Sequence, residues 1–311
     1  MTILTLLYVC GGGLGLYLGA EWLVRGGAAL ALRIGIAPLV IGLTVISTGT
    51  SAPELVVSVN AAATHDSTIV LGNVIGSNIA NLGLVLGLAA MIRPLRVEQQ
   101  VIRREIPVML AASGLLCLML WNGFIARWEG AVLVLLLVAY TVISVRMAQR
   151  ATSAAVPAIE QRWGTGWSVA VVVGGLAVLL PGAHFFVLGA VEMATHFGLS
   201  PMVTGLTIVA VGTSMPEIAT SCVGAWRNQG DLAIGNAVGS NIFNLLGVLG
   251  ISALLFEVQG VGVSVMDLLV MLFFACISLP IMWTGFVISR REGVLLVLTY
   301  ALYITWLLQT V

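Results

Sequence analysis

The chain has 311 residues, a mean hydropathy of +1.10 and only 8% charged residues, with 13 basic side chains balancing 13 acidic ones. A water-soluble fold of this length would need roughly a quarter of its residues charged to coat its surface, and a net charge of zero offers no field for nucleic acid. The 36 glycines suit closely packed membrane helices rather than a loop-rich soluble fold.

A hydrocarbon core about 30 Å thick takes about 20 apolar residues of helix to cross, and on that measure ten spans are expected. The first, near 3–24, follows no basic n-region or small-residue cleavage site and reads as an ordinary helix. Glu21 and Arg25, four apart at its end, read as an interfacial ion pair. The second span, 38–63, carries Gly42-Leu43-Thr44 and then Gly49-Thr50-Ser51-Ala52-Pro53-Glu54. Proline has no N–H and its ring collides with the carbonyl four residues back, so Pro53 should free the carbonyl of Gly49 and let that of Thr50 tilt out. An unpaired backbone group in lipid costs several kcal/mol, so such a break belongs where it lines a cavity or meets an ion. The adjacent carboxylate of Glu54 costs about 2.5–3.5 kcal/mol at mid-helix even on mild scales.

The third span, 68–91, holds Gly72-Asn73-x-x-Gly76-Ser77-Asn78-x-x-Asn81. Asn73, Ser77 and Asn81 are four apart and fall on one face. Spans four and five, 105–121 and 128–147, carry no such cluster. After a polar linker at 148–165, five more spans follow at 167–195, 201–226, 231–256, 264–286 and 292–310. His184 stands where Glu21 does, and Glu192 and His196 lie four apart near a span end. Trp121, Trp128, Trp163 and Trp167 read as interfacial anchors. The four cysteines, Cys10, Cys117, Cys222 and Cys276, are scattered singly and read as packed thiols.

The second half rewrites the first. Residues 37–90 align without a gap on 200–253 at an offset of 163, with 24 of 54 positions identical. Gly205-Leu206-Thr207, Gly212-Thr213-Ser214-Met215-Pro216-Glu217 and Gly235-Asn236-x-x-Gly239-Ser240-Asn241-x-x-Asn244 repeat the whole pattern, Pro216 standing to Gly212 as Pro53 stands to Gly49. Five spans per half, an odd number, make the second half enter the membrane from the opposite side. The expected fold is an all-α membrane protein of ten helices in two inverted repeats, 1–147 and 166–311, joined by the linker 148–165. Such repeats place a transport site at the midplane on interrupted helices.

Every basic residue is Arg, and twelve of the 13 fall on one face under this assignment, Arg127 alone on the other. The positive-inside rule makes the twelve-residue face cytoplasmic and puts both termini outside.

The polar groups at the breaks are all oxygen donors: the carboxylates of Glu54 and Glu217, the hydroxyls of Ser77 and Ser240, the amides of Asn81 and Asn244, and the freed carbonyls. Oxygen-only sets suit hard cations such as Ca2+ and Na+, and no His or Cys joins them to suggest a transition metal. Two carboxylates balance one divalent or two monovalent cations, which makes exchange by competition a simple outcome.

At these residues the chain resembles the sodium/calcium exchanger branch of the calcium:cation antiporter superfamily, its bacterial and archaeal members above all. GTSxPE followed by GNxxGSNxxN, present twice, is a specific signature. The resemblance implies Ca2+ bound by Glu54 and Glu217 with the carbonyls of Thr50 and Thr213. It implies Na+ at Ser47, Thr50, Ser51, Glu217 and Ser240 on one side, and at Ala210, Thr213, Ser214, Glu54 and Ser77 on the other. It also implies the first two helices of each half sliding past a fixed bundle. Some relatives carry Asp where Asn244 stands, which leaves sodium stoichiometry, potassium dependence and proton use open.

The expected function is sodium-driven Ca2+ antiport in a prokaryotic inner membrane, by a monomer among lipids, with Ca2+ and Na+ as cargo and no resident cofactor. Three Na+ against one Ca2+ would move one net charge, worth about 2.3 kcal/mol per 100 mV. H+/Ca2+ or K+-dependent exchange stands as the alternative, since two carboxylates in one cavity invite protons. Sodium-coupled symport of an organic solute would normally want a cationic or helix-N-terminal pocket for an anionic group, and the midplane has no Arg; an intramembrane hydrolase using Glu54 and Glu217 as acid and base would want an HExxH or similar pairing, which is missing.

Overall fold

The computed structural model describes residues 3–152, 163–197, 210–260 and 263–310, nearly all of them helical. In the first half α1 is Ile3–Ile34, α2 Pro38–Thr50, α3 Ala52–Ala63, α4 Ser67–Ile92, α5 Val101–Asn122 and α6 Arg127–Thr152. In the second, α7 is Thr165–His196, α8 Ala210–Gly212, α9 Met215–Trp226, α10 Gly230–Leu255, α11 Val265–Phe286 and α12 Arg290–Thr310. Among the described residues eight helices are long and apolar enough to cross a membrane, and the bent pair α2–α3 makes a ninth span. The tenth expected span, 201–226, is described only from Ala210 onward. Pro201, Gly205, Leu206 and Thr207, and linker residues 153–162, lie outside the described residues.

The duplication is physical. Element limits recur at the offset of 163: α3 and α9 match at both ends, as do α4 and α10, and α6 and α12 match at their starts. Two short pairings show the inversion. Strand β1, Leu95–Arg96, pairs antiparallel with β4, Val287–Ile288, and β2, Phe124–Ile125, with β3, Val258–Gln259. Helix α5 separates β1 from β2 by roughly 33 Å at 1.5 Å per residue, so the two sheets sit on opposite faces of the bundle. The repeat equivalent of β1 is β3, and that of β2 is β4, so equivalent strands face opposite sides. Arg93, Arg96, Arg290 and Arg291 flank the β1–β4 sheet, whereas Arg127 follows β2 on the other face.

Helices α4 and α10 form the centre; 72% and 83% of their apolar windows are buried, against 17–39% for the other six single spanning helices among the described residues. They touch where the Asn241 amide donates to the Asn78 carbonyl at 3.2 Å, a residue meeting its own repeat equivalent. A pseudo-two-fold axis must pass close to that contact. The outer faces expose large apolar side chains such as Leu118, Leu302, Val265 and Trp121, as a lipid-facing surface should. Cys10 and Cys276 are exposed on it, not packed as expected. An apolar neighbourhood means burial in a soluble protein, but here it also describes the outside.

Helix α1 runs on past 24 to Ile34, because Glu21 and Arg25 lie on one face and pair there without ending it. At about 48 Å it exceeds the hydrocarbon core. It lies antiparallel on α7 through glycines: a Cβ at Gly12 would sit 2.4 Å from the Phe186 nitrogen, one at Gly19 2.5 Å from the Leu179 nitrogen, and one at Gly182 2.8 Å from the Gly15 carbonyl carbon. The buried apolar side chains fall into two clusters. One centres on α1 and α7 with Val40, Ile41 and Ile46 of α2 and reaches Val223 of α9 and Leu232 of α10; the larger one is the bundle around α4 and α10, to which α2 adds Leu39 and Leu43.

Gly19→Ala should therefore destabilise the detergent-purified protein by about 1–3 kcal/mol, the usual effect of overpacking against backbone. Gly114→Ala, where a Cβ meets nothing described within 4 Å, should be neutral or slightly stabilising. Thermal unfolding monitored by tryptophan fluorescence checks both.

Candidate functional site

The site begins with two broken spans. Helix α2 ends at Thr50, Ser51 leaves helical geometry (φ −83°, ψ 12°), and α3 starts at Ala52 with a bend of 46°. In the second half Ser214 does the same (φ −85°, ψ 6°) between α8 and α9. The break thus falls earlier than a proline kink would put it. Pro53 and Pro216 occupy the first turns of α3 and α9, where a missing N–H leaves nothing unsatisfied. They act as helix starts.

That shift moves the carboxylates. Glu54 and Glu217 lie in the first turns of α3 and α9, where unpaired N–H groups and the helix dipole favour negative charge. The last turn of α2 brings its carbonyl ends to the same place; those of Ser47, which accepts from the Ser51 N–H at 3.0 Å, and of Gly49 are taken up by N–H groups at the break. A half-helix C-terminus suits a cation as an N-terminus suits a carboxylate.

Both glutamates are fully enclosed, Glu54 at 1% exposure and Glu217 at 0%, and are close enough for Glu54 to feel the charge of Glu217. Among the described residues the ion pairs engage Glu21 and Glu105, never these two. Their surroundings differ. The Ser51 hydroxyl donates to Glu217 Oε1 at 2.8 Å, and Ser240 approaches the same oxygen at 3.4 Å. Both carboxylate oxygens of Glu54, and Oε2 of Glu217, have no hydrogen-bond partner among the described residues. Ser214 lies beside Glu54, yet its hydroxyl forms no hydrogen bond of good geometry and counts among the unpartnered groups.

Asn81 and Asn244 are buried at 0%, and all four of their side-chain polar atoms lack partners among the described residues. Each opens a π-helical turn, Asn81–Val85 and Asn244–Val248. Such turns recur at functional sites because the extra residue re-aims neighbouring side chains. Buried polar groups are nearly always satisfied, and here the unpartnered ones collect on the residues that carry the duplicated motif.

The remaining expected residues distribute as follows. Ser47, fully buried, donates to the Leu43 carbonyl at 2.8 Å. Thr50, also buried, donates to Asn236 Oδ1 at 3.0 Å. Ser77 is buried on α4. Thr213, half-buried, stands with Ser214 in the turn between α8 and α9. Ala210 is the first residue of α8, and its side chain lies outside the described residues.

Two sets of partners are not specified by the sequence. Asn73 Nδ2 donates to the Glu54 carbonyl and to Ser58 Oγ, both at 2.9 Å, and Asn236 Nδ2 donates to the Glu217 carbonyl at 3.3 Å and to Ser221 Oγ at 3.0 Å. The signal was present, since Ser58 and Ser221 each stand four residues after a glutamate at the common offset. The second is Arg227, whose guanidinium reaches Glu21 at 2.7 Å and ties the end of α9 to α1 alongside Arg25.

A family model described as sodium/calcium exchanger protein matches residues 4–146 and again 167–309. The chain is 30% identical to the sodium/calcium exchanger MaX1 of Methanosarcina acetivorans, over 92% of this chain and 93% of that protein. It is 37% identical to inner membrane protein YrbG of Escherichia coli, over 82% and 81%. Among solved structures, the sodium-calcium exchanger NCX_Mj soaked with 2.5 mM Na+ and 0.1 mM Ca2+ superposes with a TM-score of 0.85 at 32% identity, covering 98% of this chain and 99% of that one.

Two enclosed carboxylates without a cationic neighbour repel each other and lack their hydration. Glu54→Gln and Glu217→Gln should each raise the unfolding temperature in sodium- and calcium-free buffer, Glu54→Gln by more because its carboxylate receives no hydroxyl. Differential scanning fluorimetry in choline and chelator reads the effect; lower temperatures for both variants would contradict it.

Proposed function

This chain belongs to the sodium/calcium exchanger protein family, and we propose that it exchanges Ca2+ for Na+ across a prokaryotic cell membrane by alternating access. The observation that carries the reading is the pair of enclosed carboxylates, Glu54 and Glu217, at equivalent helix breaks, among unpartnered oxygen groups and without an opposing cation.

In this reading Ca2+ takes the place of the missing partner, bridging Glu54 and Glu217 with the carbonyls of Thr50 and Thr213. Ca2+ accepts six to eight oxygens in loose geometry, and both half-helix carbonyl ends and carboxylates serve that need. Na+ uses the same carboxylates with Ser47, Thr50, Ser51 and Ser240 on one side and Ala210, Thr213, Ser214 and Ser77 on the other. The two ions therefore compete for one negative charge. Asn81 and Asn244 supply neutral dipoles at the centre.

The division of the apolar core supports the motion. Helices α1 and α7 pack on each other through glycines and share a cluster of their own, which meets the bundle built on α4 and α10 through side chains such as Val223 and Leu232. Sliding this pair past the bundle carries α2, whose Gly49 abuts Leu176 of α7, and so opens the breaks first to one face and then to the other. With the arginine-rich face cytoplasmic, both termini lie outside, the halves 1–147 and 166–311 act as the two repeats, and one chain is the working unit.

In reconstituted vesicles an outward sodium gradient alone should drive Ca2+ uptake, and a proton gradient alone should not. Uptake indifferent to sodium would sink the reading. Glu54→Gln and Glu217→Gln should each reduce sodium-driven 45Ca2+ flux to background while the protein stays inserted. Asn244→Asp adds a titratable carboxyl to the centre and should alter the pH dependence of the flux or change its charge per turnover, as read by voltage-sensitive dye.

A further inference from the structure

Asn236 touches three elements at once. Standing on α10 and fully buried, it donates through Nδ2 to the Glu217 carbonyl and to Ser221 of α9, and accepts through Oδ1 from the Thr50 hydroxyl at the end of α2. Asn73, its equivalent on α4, grips the Glu54 carbonyl and Ser58 of α3 in the same way. The corresponding third bond, from Thr213 to Asn73, is not made among the described residues. The same inequality separates Glu217, which accepts from Ser51, from Glu54, which accepts from no hydroxyl.

We propose that Asn73 and Asn236 are positioning residues for the ion site, and that their bonds to the threonine of the opposite repeat form alternately: Thr50 with Asn236 in the state described, Thr213 with Asn73 when the site faces the other side. The proposal rests on the antiport reading and deepens it.

The chemistry explains why the residue is asparagine. A carboxamide offers two N–H donors and a carbonyl acceptor in one plane. Aspartate could not donate to a backbone carbonyl, and serine could not reach three elements. By holding the carbonyl of the glutamate itself, the amide fixes where the first turn of each half-helix begins and so where the carboxylate projects. This grip is present in both repeats and is independent of state. The acceptor side is different, because its partner sits at the end of the other half's broken span. In a pair of inverted repeats the opposite-facing state is reached when the two halves exchange conformations. A bond made in one half and absent in the other is then a bond that changes hands.

Four variants separate these roles: Thr50→Val, Asn236→Ala, Thr213→Val and Asn73→Ala. The valines keep the backbone carbonyls and remove only the hydroxyl. In oriented vesicles, the ratio of cytoplasmic to external half-saturating Ca2+ should move by about 2- to 10-fold, the size of one hydrogen bond's net contribution. Thr50→Val and Asn236→Ala should move it in one direction, and Thr213→Val and Asn73→Ala in the other. A structural defect alone would lower flux without this mirror-image pattern. Ratios unmoved by the valines, or moved the same way by all four variants, overturn the alternation. Amide hydrogen exchange on the purified protein tests the grip without transport: residues 54–58 should exchange faster in Asn73→Ala, and residues 217–221 in Asn236→Ala. Unchanged exchange overturns the positioning role. Wild-type protein that exchanges no Ca2+ for Na+ overturns the antiport reading and the alternation built on it, and leaves the exchange experiment to decide the grip.

Discussion

Two carboxylates held in the middle of an apolar bundle, with no arginine beside either, constrain everything around them. Moving a carboxylate from water into such a medium carries an effective penalty of several kcal/mol per ion after relaxation, and a second like charge nearby adds to it. The fold answers with dipoles instead of side-chain cations. Glu54 and Glu217 are placed in the first turns of α3 and α9, where the positive end of each half-helix dipole favours negative charge. That placement requires the spans to break, and a break in lipid is tolerable only if its loose ends face a polar interior. The breaks, the central position of α4 and α10, and the burial of the asparagine-rich faces of those helices follow from this one demand.

The duplicated architecture makes the demand cheap to meet twice but does not make the two solutions equal. Every element limit in the α3–α4 unit recurs in α9–α10, and the asparagine grips on the glutamate carbonyls recur with it. The hydroxyl contacts do not: Ser51 and Ser240 attend Glu217, and no hydroxyl bonds Glu54. Nor do the ionic contacts. Glu21 binds Arg25 and Arg227, whereas the equivalents of Glu21 and Arg227 are His184 and Thr64, which could not form such a pair. The inner inequality involves identical residues in both halves and so reports conformation. The outer one is written into the side chains, and it fastens α1 to the end of α9 on one face only.

Much of this was legible beforehand, for physical reasons. Membrane residence follows from a shortage of charge, and the repeat follows from gapless identity at one offset. The candidate site stands out through carboxylates and prolines set where lipid penalises both. What escaped depended on register and long-range packing. Pro53 and Pro216 show that a continuous helix is unfavourable, but whether the helix kinks there or ends at Ser51 and Ser214 is decided by what the ends can bond. The π-turns at Asn81 and Asn244 insert a residue into the helical register, and composition carries no trace of that. The Glu21–Arg25 pair was visible because it is local; Arg227, reaching the same carboxylate from the far half, was not. Cys10 and Cys276 misled because apolar surroundings mark the lipid face as well as the core.

The central asparagines settle the electrical character of the proposed site. A carboxyl at either position could gain or lose a proton and so change the charge of the empty cavity; an amide cannot. With Asn81 and Asn244 both neutral, the ionised cavity carries the two charges of Glu54 and Glu217 and no more. One Ca2+ or two Na+ bring that total to zero, which is the state a low-dielectric interior favours. A third Na+ would leave one positive charge over, and the groups able to hold it are the carbonyl ends at the breaks, with the negative end of the α2 dipole behind them. Under the proposed antiport, an electrogenic cycle would therefore depend on backbone carbonyls at Thr50 and Thr213 as much as on the glutamates. In that reading, the ease of accepting a third sodium would be set by how far those half-helix ends can turn toward the cavity.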